Sequence, residues 1–199
     1  MEREIGSLPT KKSGGKYSEG GLVWYVYGPP GIGKTTFAAS MPEPYFLYTD
    51  SGAKNVTAYK SPVQSWQEFK KLVGRLKEER PSIYRTVVVD TVDTLFRLCR
   101  RHVCAKRGIE HVSDEGYGKA YDLLHDEFEQ AMVGLTLLPY STVFIAHSKE
   151  IEIRGRALRT SKIVPSTPRS AHSLVAALAD VLAFCGYEEG SADKGDKRR

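Results

Sequence analysis

The stretch Leu22-Val23-Trp24-Tyr25-Val26-Tyr27-Gly28-Pro29-Pro30-Gly31-Ile32-Gly33-Lys34-Thr35-Thr36 decides how the rest of the chain is read. Leu22 to Tyr27 is a short apolar, aromatic and β-branched run. It stops abruptly at Gly28-Pro29-Pro30-Gly31, which predicts a buried strand followed by a turn. Gly28 to Thr35 fits the spacing G-x-x-x-x-G-K-[ST], and Thr35 to Ser40 starts a helix that halts near Pro42. Glycines here let the backbone curl until successive N–H groups converge on one spot, with a helix N-terminus behind them. The ligand for such a cradle is a phosphate chain. Gly28, Pro29, Pro30, Gly31, Ile32, Gly33, Lys34, Thr35 and Thr36 are therefore the expected nucleotide contacts. Lys34 would reach the β- and γ-phosphates, Thr35 would hold Mg²⁺ through its hydroxyl, and Thr36 would add a contact further down the nucleotide.

Working outward, three more apolar runs each close on a polar residue. Thr86 to Val89 closes on Asp90, Tyr45 to Tyr48 leads through Thr49 to Asp50, and Ser141 to Ala146 closes on His147. Between them lie helical patterns: Ser65 onward with Trp66, Phe69, Leu72, Val73 and Leu76 on one face, Thr91 to Arg101, Ala120 to Leu138, and Ser170 to Ala179. Strands alternating with helices predict an α/β domain with a mostly parallel central sheet and helices on both faces. Ligands sit beyond the carboxyl ends of such strands, which is where these polar residues fall. Asp90 is the expected carboxylate beside Mg²⁺. Thr91, not Glu, follows it, which counts against the AAA+ pattern. Asp50 is the candidate for orienting the attacking water, on the expectation that its strand neighbours the phosphate-loop strand; the alternative is an Asp that opens a turn with Ser51-Gly52. Asp93 reads as a first-turn helix acid favoured by the dipole. His147 is placed to hydrogen-bond the γ-phosphate and report its loss to the chain that follows.

Composition sets the frame around these motifs. The chain has 199 residues, 41% apolar and 27% charged, which fits one globular domain and excludes wholesale disorder and collagen-like repetition. No apolar run approaches the roughly 20 residues of a membrane span. Residues 1–20 read as a flexible leader, 21–187 as the catalytic core, and 188–199 as a charged tail or a truncated end. Cys99, Cys104 and Cys185 have no metal spacing and read as reduced core filler in a cytoplasm. The net charge of +5 is localised: residues 149–169 hold six basic and two acidic groups, and residues 97–111 hold five and one. Glu150 to Pro165 reads as a loop or weak hairpin. Arg154, Arg156, Arg159 and Lys162 there, with Lys106 and Arg107 in the other patch, are the candidate contacts to a nucleic-acid backbone; a solvated face is the competing reading. A phosphate sensor joined directly to a basic segment would let nucleotide state order or release that segment.

Several of these motifs together resemble the single-domain RecA-like P-loop ATPases of bacteriophages, the Sak-type recombination proteins. The resemblance runs from about Gly20 to Tyr187. It rests on Gly28 to Thr36, Asp50-Ser51-Gly52, Ser65-Trp66, Val87 to Asp90 with Thr91, Tyr117-Gly118-Lys119-Ala120-Tyr121, Ile145-Ala146-His147, and Asp180 before the last strand. It implies an ATPase with ATP and Mg²⁺ as cofactors that binds single-stranded DNA in recombination or annealing. Phosphate and Mg²⁺ roles transfer to Lys34, Thr35 and Asp90, and phosphate sensing to His147. The segments 104–118 and 149–165 would be the DNA-facing loops. The implied partners are single-stranded DNA, further copies of the chain in a ring or filament, and a single-strand-binding or annealing protein. The implied place is the cytosol of a bacterial host. The group usually has Glu where this chain has Asp50, which implies slow hydrolysis. The competing readings are an AAA+-like loader or remodelling ATPase and a nucleotide-switched module with little hydrolysis.

Overall fold

Each apolar run becomes a strand because it has a core on both sides. The computed structural model describes residues 21–80, 83–114, 116–154 and 159–187; the expected leader 1–20 and tail 188–199 lie outside the described residues. Among the described residues, β1 (Val23–Gly28), β2 (Pro44–Tyr48), β3 (Tyr59–Pro62), β4 (Thr86–Asp90), β5 (Ser141–Arg154), β6 (Arg159–Pro165) and β7 (Val181–Phe184) build one sheet. Its order is β3-β2-β4-β5-β1-β7, with β6 paired to β5 off that path. The pairs along the order are parallel, and only β5–β6 is antiparallel. The mostly parallel α/β architecture expected from the alternating pattern is therefore present.

The helices are α1 (Lys34–Ala39), α2 (Trp66–Glu79), α3 (Val92–Arg107), α4 (Lys119–Thr136) and α5 (Arg169–Leu178). Strand residues alternate between two cores. Val87, Val89, Leu47 and Tyr25 face the larger one, with Trp66, Phe69, Leu95, Phe128, Met132 and Val175 from α2 to α5. Val88, Phe46, Val26 and Ile145 face a smaller one under α1 and the turn Ser51–Asn55. Ser65 starts α2 by accepting the Glu68 N–H at 3.2 Å, while Glu68 Oε2 accepts the Gln64 N–H at 2.7 Å. The Ser65 cap is worth about 1 kcal/mol.

The structure sharpens or corrects the sequence reading in four places. Helix α3 runs on to Arg107 and ends at Gly108, because Cys99, Val103 and Cys104 continue its buried stripe. β3 is a short, largely exposed edge strand, and so has no apolar run to betray it. Of the two forms expected for Glu150 to Pro165, the hairpin is the one present among the described residues: β5 pairs with β6 from Ser148↔Pro165 to Arg154↔Arg159. Finally, β2 does not neighbour β1: β4 and β5 stand between them. The adjacency expected for Asp50 is thus wrong, and its strand lies on the far side of the one that carries Asp90.

Candidate functional site

The phosphate loop leaves β1 at Gly28 and enters α1 at Lys34. Gly31 and Gly33 sit at φ +77° and +106°, a region that L side chains rarely adopt, and the space where their Cβ atoms would point is open. Lys34 is 5% exposed. Its Nζ donates to the carbonyls of Gly28 and Pro29, both at 2.8 Å, which draws the ammonium into the mouth of the loop. Burial holds the amine below its ordinary pKa, against the pull of Asp90. Thr35 projects toward β4, where its Oγ1 donates to Asp90 Oδ2 at 2.8 Å.

Strand register explains how the other residues arrive. His147 is the Cα partner of Gly28, and Asp90 is the partner of both Ile145 and Tyr48. β4 ends at Asp90 and the chain turns into α3. The chain after β2 runs two residues beyond that level to Asp50, and β5 itself runs on to His147. They lean together over the end of β4, where His147 Nε2 lies 3.4 Å from Asp50 Oδ2. The two side chains keep 34% (Asp50) and 36% (His147) of their surface exposed. Two hydroxyls fix the Asp50 carboxylate from below: Thr91 Oγ1 donates to Oδ2 at 3.1 Å and Thr94 Oγ1 to Oδ1 at 3.2 Å. Thr49 Oγ1 in turn accepts the Thr91 N–H at 3.0 Å. Burial raises the Asp90 carboxyl; the Thr35 hydrogen bond opposes this, the Asp50 charge adds to it, and Lys34 and His147 lower it.

The donor set fits a hard divalent cation. Thr35 and Asp90 offer a hydroxyl and a carboxylate 2.8 Å apart, and a Cβ added at Gly52 would stand 3.4 Å from Thr35 Oγ1 and 4.0 Å from Asp90 Oδ2. Glycine therefore keeps clear the space above both oxygens. Gly52 is a site residue that sequence reading noted only as part of a motif.

Lys34, Thr35, Asp90, Asp50 and His147 are thus gathered at one end of the sheet. The basic candidates are divided. Lys162 is exposed on β6, the backbones of Arg154 and Arg159 are register partners, and Arg156 lies outside the described residues. Lys106 and Arg107 end α3, about 21 Å of helix rise from the site end. Cys99 and Cys104 are buried in the larger core, as expected of filler. Cys185 is half-buried against the phosphate loop, where its carbonyl oxygen would lie 2.3 Å from a Cβ at position 28, so only Gly fits there.

One carboxylate does more than its sequence position suggests. Asp93, expected only to favour the helix dipole, accepts from the His147 N–H at 3.2 Å, Ser166 Oγ at 3.0 Å and Thr167 Oγ1 at 3.3 Å. Its partners are 54 to 74 residues away, beyond any local pattern.

A glycine-rich loop between a buried strand and a helix, facing a threonine–aspartate pair at the end of a parallel sheet, defines the α/β fold of P-loop nucleotide-binding proteins. The chain belongs to the AAA domain family, whose model matches residues 21–199. Domains of this class generally bind nucleotide with Mg²⁺. Thr91 after Asp90 therefore does not set the chain apart from AAA-type domains. It is also similar to the SPbeta prophage-derived uncharacterized protein YorG of Bacillus subtilis (strain 168), at 30% identity over 138 residues. The matched region covers 65% of this chain and 42% of the relative, so the chain spans less than half of that relative's length. Among the described residues, no helix is long and apolar enough to cross a membrane.

Proposed function

We propose that the protein is an ATP- and Mg²⁺-dependent ATPase of phage type that couples nucleotide state to single-stranded DNA in recombination or annealing. It works as a ring or filament of copies in the host cytosol, beside a single-strand-binding or annealing protein. The observation that carries the reading is the continuity of β5. One unbroken strand holds His147 beside Asp50 and then becomes the first arm of the hairpin that ends at Arg154. The prophage origin of the relative supports the phage setting.

In this reading the loop N–H groups and Lys34 bind the phosphates, and Lys34 exchanges its two carbonyl partners for phosphate oxygens. Thr35 and Asp90 would hold Mg²⁺, which neutralises phosphate charge when bound. Asp50, fixed by Thr91 and Thr94, orients the attacking water and accepts its proton. His147 donates to Asp50 when the γ-phosphate is absent and turns to that phosphate when it is present. The backbone following His147 carries that change into the hairpin. The family match also favours a second reading, a AAA-type remodelling ATPase directed at protein.

ATP turnover with and without single-stranded DNA separates the two, with Lys34→Ala as control. Stimulation by DNA that is lost in the variant supports the recombination reading. Turnover indifferent to DNA supports the second, and no turnover leaves a nucleotide switch.

A further inference from the structure

We propose that Asp93 is a positioning residue, the joint that makes His147 and the base of the β5–β6 hairpin move as one body. The proposal rests on the nucleotide-coupling reading above and names the part that would transmit it. Asp93 is 9% exposed, on the first turn of α3, three residues after Asp90. Its Oδ2 accepts both the His147 N–H, where β5 leaves the sheet, and the Ser166 hydroxyl, where β6 ends. Its Oδ1 accepts from Thr167 Oγ1, which lies 3.2 Å from Tyr25 OH on the phosphate-loop strand. The Ser166 N–H donates to the His147 carbonyl at 2.8 Å and closes the ring. One carboxylate thus ties together the sensor strand, the exit of the hairpin and the helix that follows the Mg²⁺-holding strand.

A first-turn acid that served only the helix dipole would need none of these partners. A buried acid that served only stability could take them anywhere in the core. Here all three donors flank the two ends of one hairpin, and the hairpin starts one residue after His147, which touches Asp50. A shift of His147 toward a phosphate must drag its own N–H, and through Asp93 the Ser166 end of the opposite strand.

The test is amide hydrogen exchange at residues 161–164 in the full chain, with and without a non-hydrolysable ATP analogue and Mg²⁺. In the wild type the nucleotide should change exchange there by about fivefold or more. Asp93→Asn keeps an oxygen for the His147 and Ser166 donors and should retain most of that change. Asp93→Ala should abolish it. Ser166→Ala removes one outer donor without emptying the core; it should cut the change to about half or less while nucleotide affinity stays within about twofold. If Asp93→Ala fails to fold, Ser166→Ala decides. Wild-type binding of the analogue with unaltered hairpin exchange overturns the joint and leaves the nucleotide reading standing. Retention of the full response in Ser166→Ala also overturns it. Failure of the wild type to bind nucleotide at all overturns both.

Discussion

Thr91 Oγ1 donates a hydrogen bond to Asp50 Oδ2 across 3.1 Å, joining the residue after Asp90 to a carboxylate just beyond the end of a different strand. Where a glutamate after Asp90 would supply its own carboxylate, this chain supplies a hydroxyl that holds one. Asp50 is the shorter acid, and two threonines and a histidine fix it from three sides.

That arrangement predicts a graded loss. Asp50→Asn should lower ATP turnover by about 100-fold or more while nucleotide affinity changes little. Thr91→Val keeps the shape but removes the donor, and should cost about tenfold. Rapid-quench turnover and equilibrium titration measure the two quantities; unchanged turnover in Asp50→Asn would move the water-orienting group elsewhere.

Lys34→Ala should weaken ATP–Mg²⁺ binding by about 100-fold. It should not lower the thermal midpoint, because its Nζ donates to two loop carbonyls and burial already disfavours its charge. Calorimetric titration and a thermal melt on one sample check both halves. Micromolar affinity retained by the variant would sink the phosphate-loop assignment.

Gly52→Val should raise the Mg²⁺ concentration for half-maximal turnover by about tenfold, with Gly52→Ala between it and the wild type. The argument is space, since the first added carbon already stands 3.4 Å from Thr35 Oγ1. A Mg²⁺ titration at saturating nucleotide reads it. Identical curves for all three proteins would mean that the cation sits away from the Thr35–Asp90 pair.

Replacing Arg154, Arg156 and Arg159 with Ala should weaken single-stranded DNA binding and flatten its salt slope by about 0.7 per lost phosphate contact. The pair Lys106→Ala and Arg107→Ala, at the far end of α3, should flatten it less. Fluorescence anisotropy over a salt series compares them. An unchanged slope in the hairpin variant would return those arginines to a solvated face.

Burial is the largest cause raising the Tyr25 phenol from its ordinary 10 to about 12. Its folded pKa lies above its unfolded one, so the stability linked to it is fully present below pH 10. It is lost as pH rises from 10 through 12. Urea unfolding at pH 9 and pH 11 should therefore show a steeper fall for the wild type than for Tyr25→Phe. Parallel falls would contradict the buried phenol.

Much of this was legible in the chain because strand ends advertise themselves. A buried run that closes on one polar residue, as at Gly28, Asp90 and His147, puts that residue at the carboxyl end of a parallel sheet. Strand order was not legible. Nothing local distinguishes β2 beside β4 from β2 beside β1, so Asp50 was brought near the loop by a false adjacency. It reaches His147 because β4 stops two residues short. The hairpin was legible only as one of two forms, because charged residues alternate with isoleucines from Glu150 to Ile153 and such charge also suits a loop. Asp93 and Gly52 escaped for a third reason. The meaning of each lies in atoms brought in from distant segments, and a single chain read in order carries no trace of that.

The unbroken length of β5 has a mechanical side. From His147 to Arg154 the strand rises about 23 Å, so the hairpin is a long arm that starts beside Asp50 at the end of the sheet that carries the phosphate loop. A tilt of about 5° at its base would carry the far end through roughly 2 Å, the scale of exchanging one hydrogen-bond partner for another. If the proposed DNA contact is made by this hairpin, an arm of that leverage would need no large rearrangement of the sheet to reach or release the strand.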